Sequence, residues 1–463
     1  MTRAVRVVAV ALALGGAVPS VAAGAAGAPG PGDQDWAVYG HDLSNTRLNS
    51  KEKEVTRKTV AGLTAKWSKD GIVGVSGTPT VSRGRAYFGD WQGTVWALDA
   101  KTGEEIWNTE IGGGFVVGAP TVQGDAVYVS SGGTLYRLDR ATGEIRWQVV
   151  VNEHELAQIN ASPVVVDGLV LQGTASAEVA IPRSEYTFRG TIGAYDAKTG
   201  KERWRFYTTP NDPTSGAGVG VWSTPAVDRK RGLLYVGTGN NYDAPTGPLA
   251  DSILAIDYET GELAWSRQFT YPDVFSAGNP TGKDADVGAS PNLWKAKDRA
   301  LVGAGDKGGV YHALDRDTGE VVWETTLTPG SFFGGEIGSA ALVDGKLIAV
   351  SNVGNPETNA PTGVAKVFAL DPASGKIRWE AEEFPGRIFA PVSAVPGVAF
   401  VGTDSGILAA LDTRTGKQLW TTNAPDKTGC GPSIVDGRVL WGYGFILFQG
   451  PGQGGVISFE VGK

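Results

Sequence analysis

Four polar residues in the middle of the chain are of types that can hold a cation and accept a proton. Glu178, Asn240, Asn241 and Asp273 each follow a short stretch that reads as a strand. A carboxylate with amide oxygens suits a hard cation such as calcium, and a further carboxylate suits a general base. Loop Asp and Asn residues are more often simple turn formers. Spacing alone does not decide between the two interpretations.

A nine-residue motif, Asp-x-x-[Thr/Ser]-Gly-x-x-x-Trp, predicts the scaffold that positions these residues. Its seven copies begin at Asp99, Asp139, Asp196, Asp257, Asp315, Asp371 and Asp412. A motif of fixed length that recurs every 40 to 61 residues indicates a repeat architecture. Each copy ends a group of four short apolar stretches, which predicts a four-stranded antiparallel propeller blade.

The motif has a structural explanation that needs no ligand. Asp and Thr/Ser can bond the backbone of their own turn, and Gly supplies the positive φ where the chain reverses. The Trp is expected to insert between blades, with its indole N–H bonded there. We therefore interpret the seven motif tryptophans as structural.

Seven motifs predict eight blades. Residues 432–440 and 456–459 supply three strands that lack a Trp strand, whereas residues 63–67 supply a Trp strand that lacks the other three. Pairing the two chain ends completes an eighth blade and removes the exposed edges of the ring. The predicted fold is an all-β, eight-bladed propeller formed by a single domain, residues 36–463.

Uneven motif spacing locates the functional face. The blades that end at Trp204, Trp265, Trp323 and Trp379 are about 15 to 20 residues longer than the others. Extra residues in a rigid repeat go into loops, where sites are usually built. We expect the active face to lie over blades three to six.

The N-terminus and composition predict an exported protein. Residues 1–23 have the basic start, apolar run and small-residue end of a signal peptide, and residues 24–35 read as a flexible leader. No later stretch is long and apolar enough to span a membrane. The net charge of −8 disfavours nucleic acid as a partner.

Cysteine content limits the redox chemistry of the chain. Cys430 is the single cysteine, so the sequence has no disulfide and no Cys-x-x-Cys-His for covalent haem. Electrons leaving the protein would need a separate acceptor. The three histidines are too scattered to predict a metal cluster.

From Trp36 onward the chain resembles the quinoprotein alcohol dehydrogenases, especially their polyvinyl-alcohol dehydrogenase branch. The resemblance rests on five stretches: Trp36-Ala37-Val38-Tyr39-Gly40-His41-Asp42, Thr187-Phe188-Arg189-Gly190, Trp222-Ser223-Thr224-Pro225, Gly237-Thr238-Gly239-Asn240-Asn241-Tyr242 and Asp284-Ala285-Asp286-Val287-Gly288-Ala289-Ser290-Pro291.

This resemblance implies a calcium ion and pyrroloquinoline quinone (PQQ) as cofactors. It implies that Glu178 and Asn240 are calcium ligands and that Asp273 accepts the hydroxyl proton of the alcohol as hydride passes to the quinone. Lys307 would contact the quinone oxygens, and Trp222 would stack under the cofactor ring. Ser176 would make a further cofactor contact.

The chain also departs from the family. Family members often cover the second face of the cofactor with a disulfide, but Gly118 and Ala119 stand in that region. The polyvinyl-alcohol branch has cysteines where this chain has Tyr186, Ala277 and Asn279. The haem domain of many relatives has no counterpart in this sequence.

Three functions remain open at this stage. The first is an exported dehydrogenase that oxidises alcohols, including secondary hydroxyls of a polymer such as polyvinyl alcohol. The second is a non-catalytic propeller that serves as a binding or assembly platform, in which the same residues are rim, turn or core positions. The third is a carbohydrate-active propeller with paired acids, whose separation the sequence does not set.

Overall fold

The structure is a computed structural model that describes residues 35–112, 114–210, 214–444 and 452–462. The described residues form short strands and two brief 3-10 helices, Val60–Gly62 and Ala177–Ala180. The predicted signal peptide, residues 1–23, lies outside the described residues. In the part of the chain that is described, no helix has the length and hydropathy of a membrane span.

Short strands follow one another along the whole described chain. The strands up to the fourth complete blade are β1 (Leu63–Val73), β2 (Thr80–Ser82), β3 (Arg85–Gly89), β4 (Thr94–Asp99), β5 (Glu105–Glu110), β6 (Thr121–Gln123), β7 (Ala126–Ser131), β8 (Thr134–Asp139), β9 (Ile145–Val150), β10 (Ala157–Gln158), β11 (Val164–Val166), β12 (Leu169–Ser176), β13 (Thr191–Asp196), β14 (Glu202–Tyr207), β15 (Ala226–Asp228), β16 (Leu233–Gly237), β17 (Ser252–Asp257) and β18 (Leu263–Gln268). The remaining strands are β19 (Asn292–Ala296), β20 (Arg299–Gly305), β21 (Val310–Asp315), β22 (Val321–Thr326), β23 (Ala341–Val343), β24 (Lys346–Asn355), β25 (Ala360–Leu370), β26 (Ile377–Glu380), β27 (Phe384–Pro385), β28 (Ser393–Val395), β29 (Val398–Gly402), β30 (Ile407–Asp412), β31 (Gln418–Asn423), β32 (Ser433–Val435), β33 (Arg438–Tyr443) and β34 (Gln453–Val461).

Eight antiparallel sheets confirm the predicted eight-bladed propeller. Blades one to seven are β2–β5, β6–β9, β11–β14, β15–β18, β19–β22, β23–β26 and β28–β31, with β10 and β27 as additions to blades three and six. Blade eight has the strand order β1-β34-β33-β32. Leu63 of β1 pairs with Val461 of β34, so the chain ends close the ring as predicted.

The motif tryptophans fasten each blade to the next. In blade one, the Asp99 carboxylate accepts the backbone N–H groups of Lys101 and Thr102 at 2.9 Å each. Trp107 then donates its indole N–H to the Arg140 carbonyl of blade two at 3.1 Å. A Cβ added to the motif glycine of blade two, Gly143, would lie 2.7 Å from this indole. The motif Gly therefore allows the positive φ of its own turn and leaves room for the tryptophan of the preceding blade.

Residues 36–49 run around the centre of the ring, which the sequence did not predict. Backbone carbonyls of this segment accept N–H groups from the first strand of blades one, two and four to seven. Asn49 adds a bond from its side-chain amide to the Ile434 carbonyl of blade eight at 2.8 Å. Arg47 is fully buried and donates to the Val392 carbonyl at 2.6 Å. The segment thus ties seven of the eight blades together.

Candidate cofactor and active site

Three candidate residues occupy the same place in successive blades. Glu178 follows β12, Asn240 follows β16 and Lys307 follows β20, so each lies after the second strand of blades three, four and five. Trp222 lies just before blade four and Asp273 just after it. None of the candidates lies on blade six, where extra residues instead lengthen the β24–β25 hairpin.

Backbone N–H groups bind the Glu178 carboxylate, and a nearby hydroxyl binds the Glu178 backbone N–H. Its carboxylate is fully buried and accepts the backbone N–H of Phe188 at 2.9 Å and that of Thr187 at 3.2 Å. Its backbone N–H bonds the Ser176 hydroxyl, which begins the short helix Ala177–Ala180. His154 Nε2 lies 3.5 Å from Glu178 Oε1. The stretch Thr187–Gly190 therefore positions a buried carboxylate.

Asn240 is oriented so that its amide oxygen is the group left for a ligand. Its side-chain N–H groups donate to the carbonyls of Phe275 at 2.7 Å and Asn241 at 2.5 Å. Its backbone N–H donates to Asp286 Oδ1 at 2.6 Å. Since both amide hydrogens are bound to backbone, only the oxygen can serve a cation.

Asp273 has one free carboxylate oxygen. The side chain is fully buried, and Oδ2 accepts the backbone N–H of Ala285 at 2.8 Å. Oδ1 is also buried but has no hydrogen-bond partner. Burial raises the pKa of Asp273 to about 6. The residue is thus a carboxylate that can take a proton near neutral pH.

Lys307 lies between two carboxylates that the sequence reasoning did not assign. Its ammonium is 2.6 Å from both Asp284 and Asp286. Burial would lower the pKa of Lys307, but the two carboxylates outweigh it and raise the pKa above its usual value. Burial, opposed by this ammonium, raises the pKa of Asp284 to about 8. Asp284 and Asp286 both lie in the Asp284–Pro291 stretch, which carries part of the family resemblance. That resemblance gave neither acid a role of its own.

Trp222 packs its ring edge against a glycine and lines a cavity. A Cβ added to Gly288 would fall 1.8 Å from Trp222 Cη2, so only glycine leaves room for the indole. The Lys307 ammonium is 5.6 Å from the centre of the Trp222 ring. The indole lines a cavity of about 140 Å³ together with Gly118 and Ala119. These small residues stand where the family resemblance would place a disulfide.

Asp251 is a second residue that the sequence reasoning missed. The residue just before the third strand is glycine in six other blades but Asp251 in blade four; the glycines are Gly93, Gly133, Gly190, Gly309, Gly406 and Gly452. Asp251 has a φ of 49° and is fully buried, and neither carboxylate oxygen has a hydrogen-bond partner. Burial, followed by the charge of Asp273, raises the pKa of Asp251 well above its usual value. This break in the glycine pattern was readable from the sequence.

Side-chain contacts join most of the candidate residues in two groups, one around Ser176 and one around Lys307. Ser176 and Tyr242 share a hydrogen bond of 3.2 Å between their hydroxyls. Asn240 bonds Asp286, and Asp286 bonds Lys307, which faces Trp222. Among the described residues, no three His, Cys, Asp or Glu side chains converge as a protein-only metal centre.

Comparison with known proteins places this propeller among the quinoprotein dehydrogenases. The family described as "Glucose/ethanol/alcohol dehydrogenase, beta-propeller domain" matches residues 36–331, a range that includes all six candidate residues. The chain therefore belongs to this PQQ propeller family. A second family, "Outer membrane protein assembly factor BamB", matches residues 306–458, which contain only Lys307 of the six.

Individual relatives agree with this assignment. A polyvinylalcohol dehydrogenase from Pseudomonas sp is 30% identical, and the alignment covers 90% of this chain and 72% of that protein. A second, from Sphingopyxis sp. (strain 113P3), is 30% identical over 89% of this chain and 73% of its own length. The crystal structure of quinohemoprotein alcohol dehydrogenase from Comamonas testosteroni has a TM-score of 0.76 at 22% identity and covers 93% of this chain and 81% of its own. That structure supports the fold.

Proposed function

We propose that this protein is an exported, PQQ- and calcium-dependent dehydrogenase that oxidises alcohols, including the secondary hydroxyls of a polymer. The single observation that carries the proposal is Asp273, a buried carboxylate with one unpartnered oxygen. Its other oxygen accepts the backbone N–H of Ala285, whose neighbours Asp284 and Asp286 both bind the buried Lys307. Family membership and the polyvinylalcohol dehydrogenase relatives support the reaction class.

The donor atoms of the site fit a calcium ion and a flat quinone. Glu178 and the Asn240 oxygen would hold the calcium, which prefers six to eight oxygen ligands, so a bound cofactor would complete the shell. Trp222, whose position requires the glycine at 288, would support the cofactor ring. When bound, PQQ supplies an electrophilic carbonyl carbon that accepts hydride from the alcohol carbon.

In this proposal the protein's own residues orient the alcohol and move its proton. Asp273 Oδ1 would accept the hydroxyl proton, which becomes more acidic as the C–H bond breaks. Lys307 stays protonated between its two carboxylates, so it can stabilise negative charge on a neighbouring oxygen. Asp284 and Asp286 fix the direction of that ammonium. Ser176 would contact the cofactor from the end of β12.

Cofactor binding can be tested by calorimetric titration with PQQ and calcium. We expect wild-type protein to bind both, and we expect Glu178→Gln to weaken calcium binding at least tenfold. Glu153→Gln removes an exposed carboxylate from the same blade region and serves as the matched control. Absence of PQQ binding by wild-type protein would favour the non-catalytic platform.

The role of Asp273 can be tested by dye-linked alcohol oxidation. We expect Asp273→Asn to lower kcat by about 100-fold or more, the usual contribution of a general base, while PQQ still binds. Asp298→Asn changes an exposed carboxylate between β19 and β20 and controls for general effects. Unchanged turnover in Asp273→Asn would remove Asp273 from the mechanism.

The proposal includes export and a separate electron acceptor. The signal-like residues 1–23 support export, and N-terminal sequencing of protein recovered from the producing cell's exterior would test it. The chain carries no covalent haem motif, so we expect reduced cofactor to pass electrons to another molecule. Residues 36–463 would act as one folded unit, which limited proteolysis can check.

A further inference from the structure

One tyrosine joins the loop that carries Glu178 to the loop that carries Asp273. The Tyr186 hydroxyl donates to the Ile181 carbonyl at 3.1 Å and accepts the backbone N–H of Gly278 at 3.0 Å. Ile181 directly follows the short helix that contains Glu178, and Gly278 comes shortly after Asp273. Because a phenol can donate and accept at once, a single hydroxyl joins the two loops. We call this contact the phenol bridge.

A backbone hydrogen bond runs beside the phenol bridge. The N–H of Ala277 donates to the carbonyl of Val179 at 2.8 Å, and Val179 directly follows Glu178. Tyr186 is only 8% exposed, although Gly278 and the two residues before Tyr186 are exposed. The Tyr186 side chain is therefore a buried contact between two loops that also face solvent.

The loop that carries Asp273 also orients Asn240. The Phe275 carbonyl accepts a side-chain N–H of Asn240 at 2.7 Å, and the Phe275 N–H donates to the Asn241 carbonyl at 3.0 Å. Since Phe275 lies between Asp273 and the phenol bridge, a shift of this loop would move the Asn240 oxygen as well as the Asp273 carboxylate. The phenol bridge thus connects the residues proposed to bind the cation with the residue proposed to accept the proton.

Packing and a glycine hold the phenol in place. The Tyr186 and Tyr242 rings meet edge to face with their centres 5.8 Å apart, and both belong to a buried cluster with Phe188. A Cβ added to Gly278 would lie 2.7 Å from the phenol oxygen. Since the φ of Gly278 is outside the left-handed region, the phenol contact rather than the backbone conformation requires a glycine here.

We propose that Tyr186 is a positioning residue whose phenol bridge sets the spacing between the Glu178 loop and the Asp273 loop. This inference rests on the proposed function and gives the bridge a role in cation affinity and turnover. Without the hydroxyl the two loops can relax separately, so the ligands must be ordered when the cation binds, and that ordering lowers affinity. A displaced Asp273 carboxylate also slows proton transfer, since a shift of about 1 Å can cost about 100-fold in rate.

Calorimetric titration with calcium in the presence of PQQ tests this role. Tyr186→Phe keeps the ring and removes the hydroxyl, and it should weaken calcium binding about threefold to tenfold, as expected for one lost hydrogen bond. Gly278→Ala should cause a similar loss by displacing the hydroxyl. Tyr128→Phe is the matched control, because it removes a buried phenol that donates to the Ala197 carbonyl at 3.0 Å, away from the candidate residues. This control should leave calcium affinity unchanged.

Two further measurements separate positioning from a general loss of stability. Tyr186→Phe and Tyr128→Phe should lower the urea midpoint by similar amounts, because each removes one buried phenol hydrogen bond. In protein saturated with PQQ and calcium, only Tyr186→Phe should change the oxidation of propan-2-ol. It should lower kcat at least threefold and leave KM nearly unchanged.

Hydrogen–deuterium exchange tests the phenol bridge without any ligand. In Tyr186→Phe, the amides of residues 177–188 and 274–279 should exchange at least threefold faster than in wild type, and Tyr128→Phe should not change them. Unchanged exchange, or faster exchange with unchanged calcium affinity, would overturn the positioning role. If wild-type protein binds neither calcium nor PQQ, the proposed function fails, while the exchange comparison still decides whether the bridge holds the two loops together.

Discussion

Replacing Asp251 with glycine should stabilise the protein. Asp251 adopts a φ of 49° where the equivalent Gly93, Gly309 and Gly406 have φ values of 85°, 86° and 89°. Its fully buried carboxyl group lacks a hydrogen-bond partner on either oxygen. The six other blades in which this position is glycine show that the propeller itself does not need a carboxyl group here.

The magnitude follows from two penalties and one offset. A left-handed backbone costs a non-glycine residue about 1 kcal/mol, and an unsatisfied buried polar group costs about 1 to 3 kcal/mol. The extra chain entropy of unfolded glycine offsets up to about 1 kcal/mol. Asp251→Gly should therefore raise the free energy of unfolding by about 1 to 3 kcal/mol at pH 5.

This advantage should increase with pH. Burial and the Asp273 charge raise the pKa of Asp251 in the folded protein, whereas the unfolded chain has an ordinary Asp pKa of about 4. Above that value the unfolded state loses a proton that the folded state keeps. Wild-type stability then falls by up to about 1.4 kcal/mol per pH unit from this group. The stability difference between variant and wild type should thus be larger at pH 7 than at pH 5.

Urea unfolding followed by tryptophan fluorescence at both pH values measures these differences. Asp436→Gly is the matched control, because Asp436 has a φ of 50° but an exposed side chain. It should gain only the backbone contribution less the glycine entropy, about 0 to 1 kcal/mol, and should not reproduce the pH-dependent gain of Asp251→Gly. A destabilised Asp251→Gly, or a gain that is the same at pH 5 and pH 7, would refute the argument that Asp251 is a buried, unpaired acid.

Three further predictions concern the site and the ring. If Asp273 is the base, kcat/KM should fall about tenfold per pH unit below about pH 6, because only the ionised carboxylate accepts a proton; a flat profile from pH 4 to 7 would contradict this. Gly288→Ala should displace the Trp222 indole and weaken PQQ binding at least tenfold in calorimetry, and unchanged affinity would mean that the indole does not support the cofactor. Arg47→Ala should lower the free energy of unfolding by about 3 kcal/mol, since it leaves buried carbonyl partners unpaired; denaturant titration measures it, and a change under 1 kcal/mol would contradict it.

Much of the fold could be predicted because its signals are local. The motif Asp binds backbone N–H groups within three residues of itself, as Asp99 does. The motif Trp follows at a fixed sequence spacing from the Asp, so both features can be read from one short stretch. The blade count and the pairing of β1 with β34 followed from which strands each chain end lacked. The central segment 36–49 was not predicted, because its bonds reach residues up to several hundred positions away.

The candidate site shows the same contrast between features that local sequence predicts and features that tertiary contacts decide. The sequence by itself determined the repeat and the ring, and it placed Glu178 and Asn240 after strands, since these depend on spacing along the chain. Only the tertiary structure decided that Asp284 and Asp286 hold Lys307 and that Asp251 is buried without a partner. The burial and the charge environment of a side chain depend on contacts between residues that are distant in sequence. No local sequence pattern predicts those contacts.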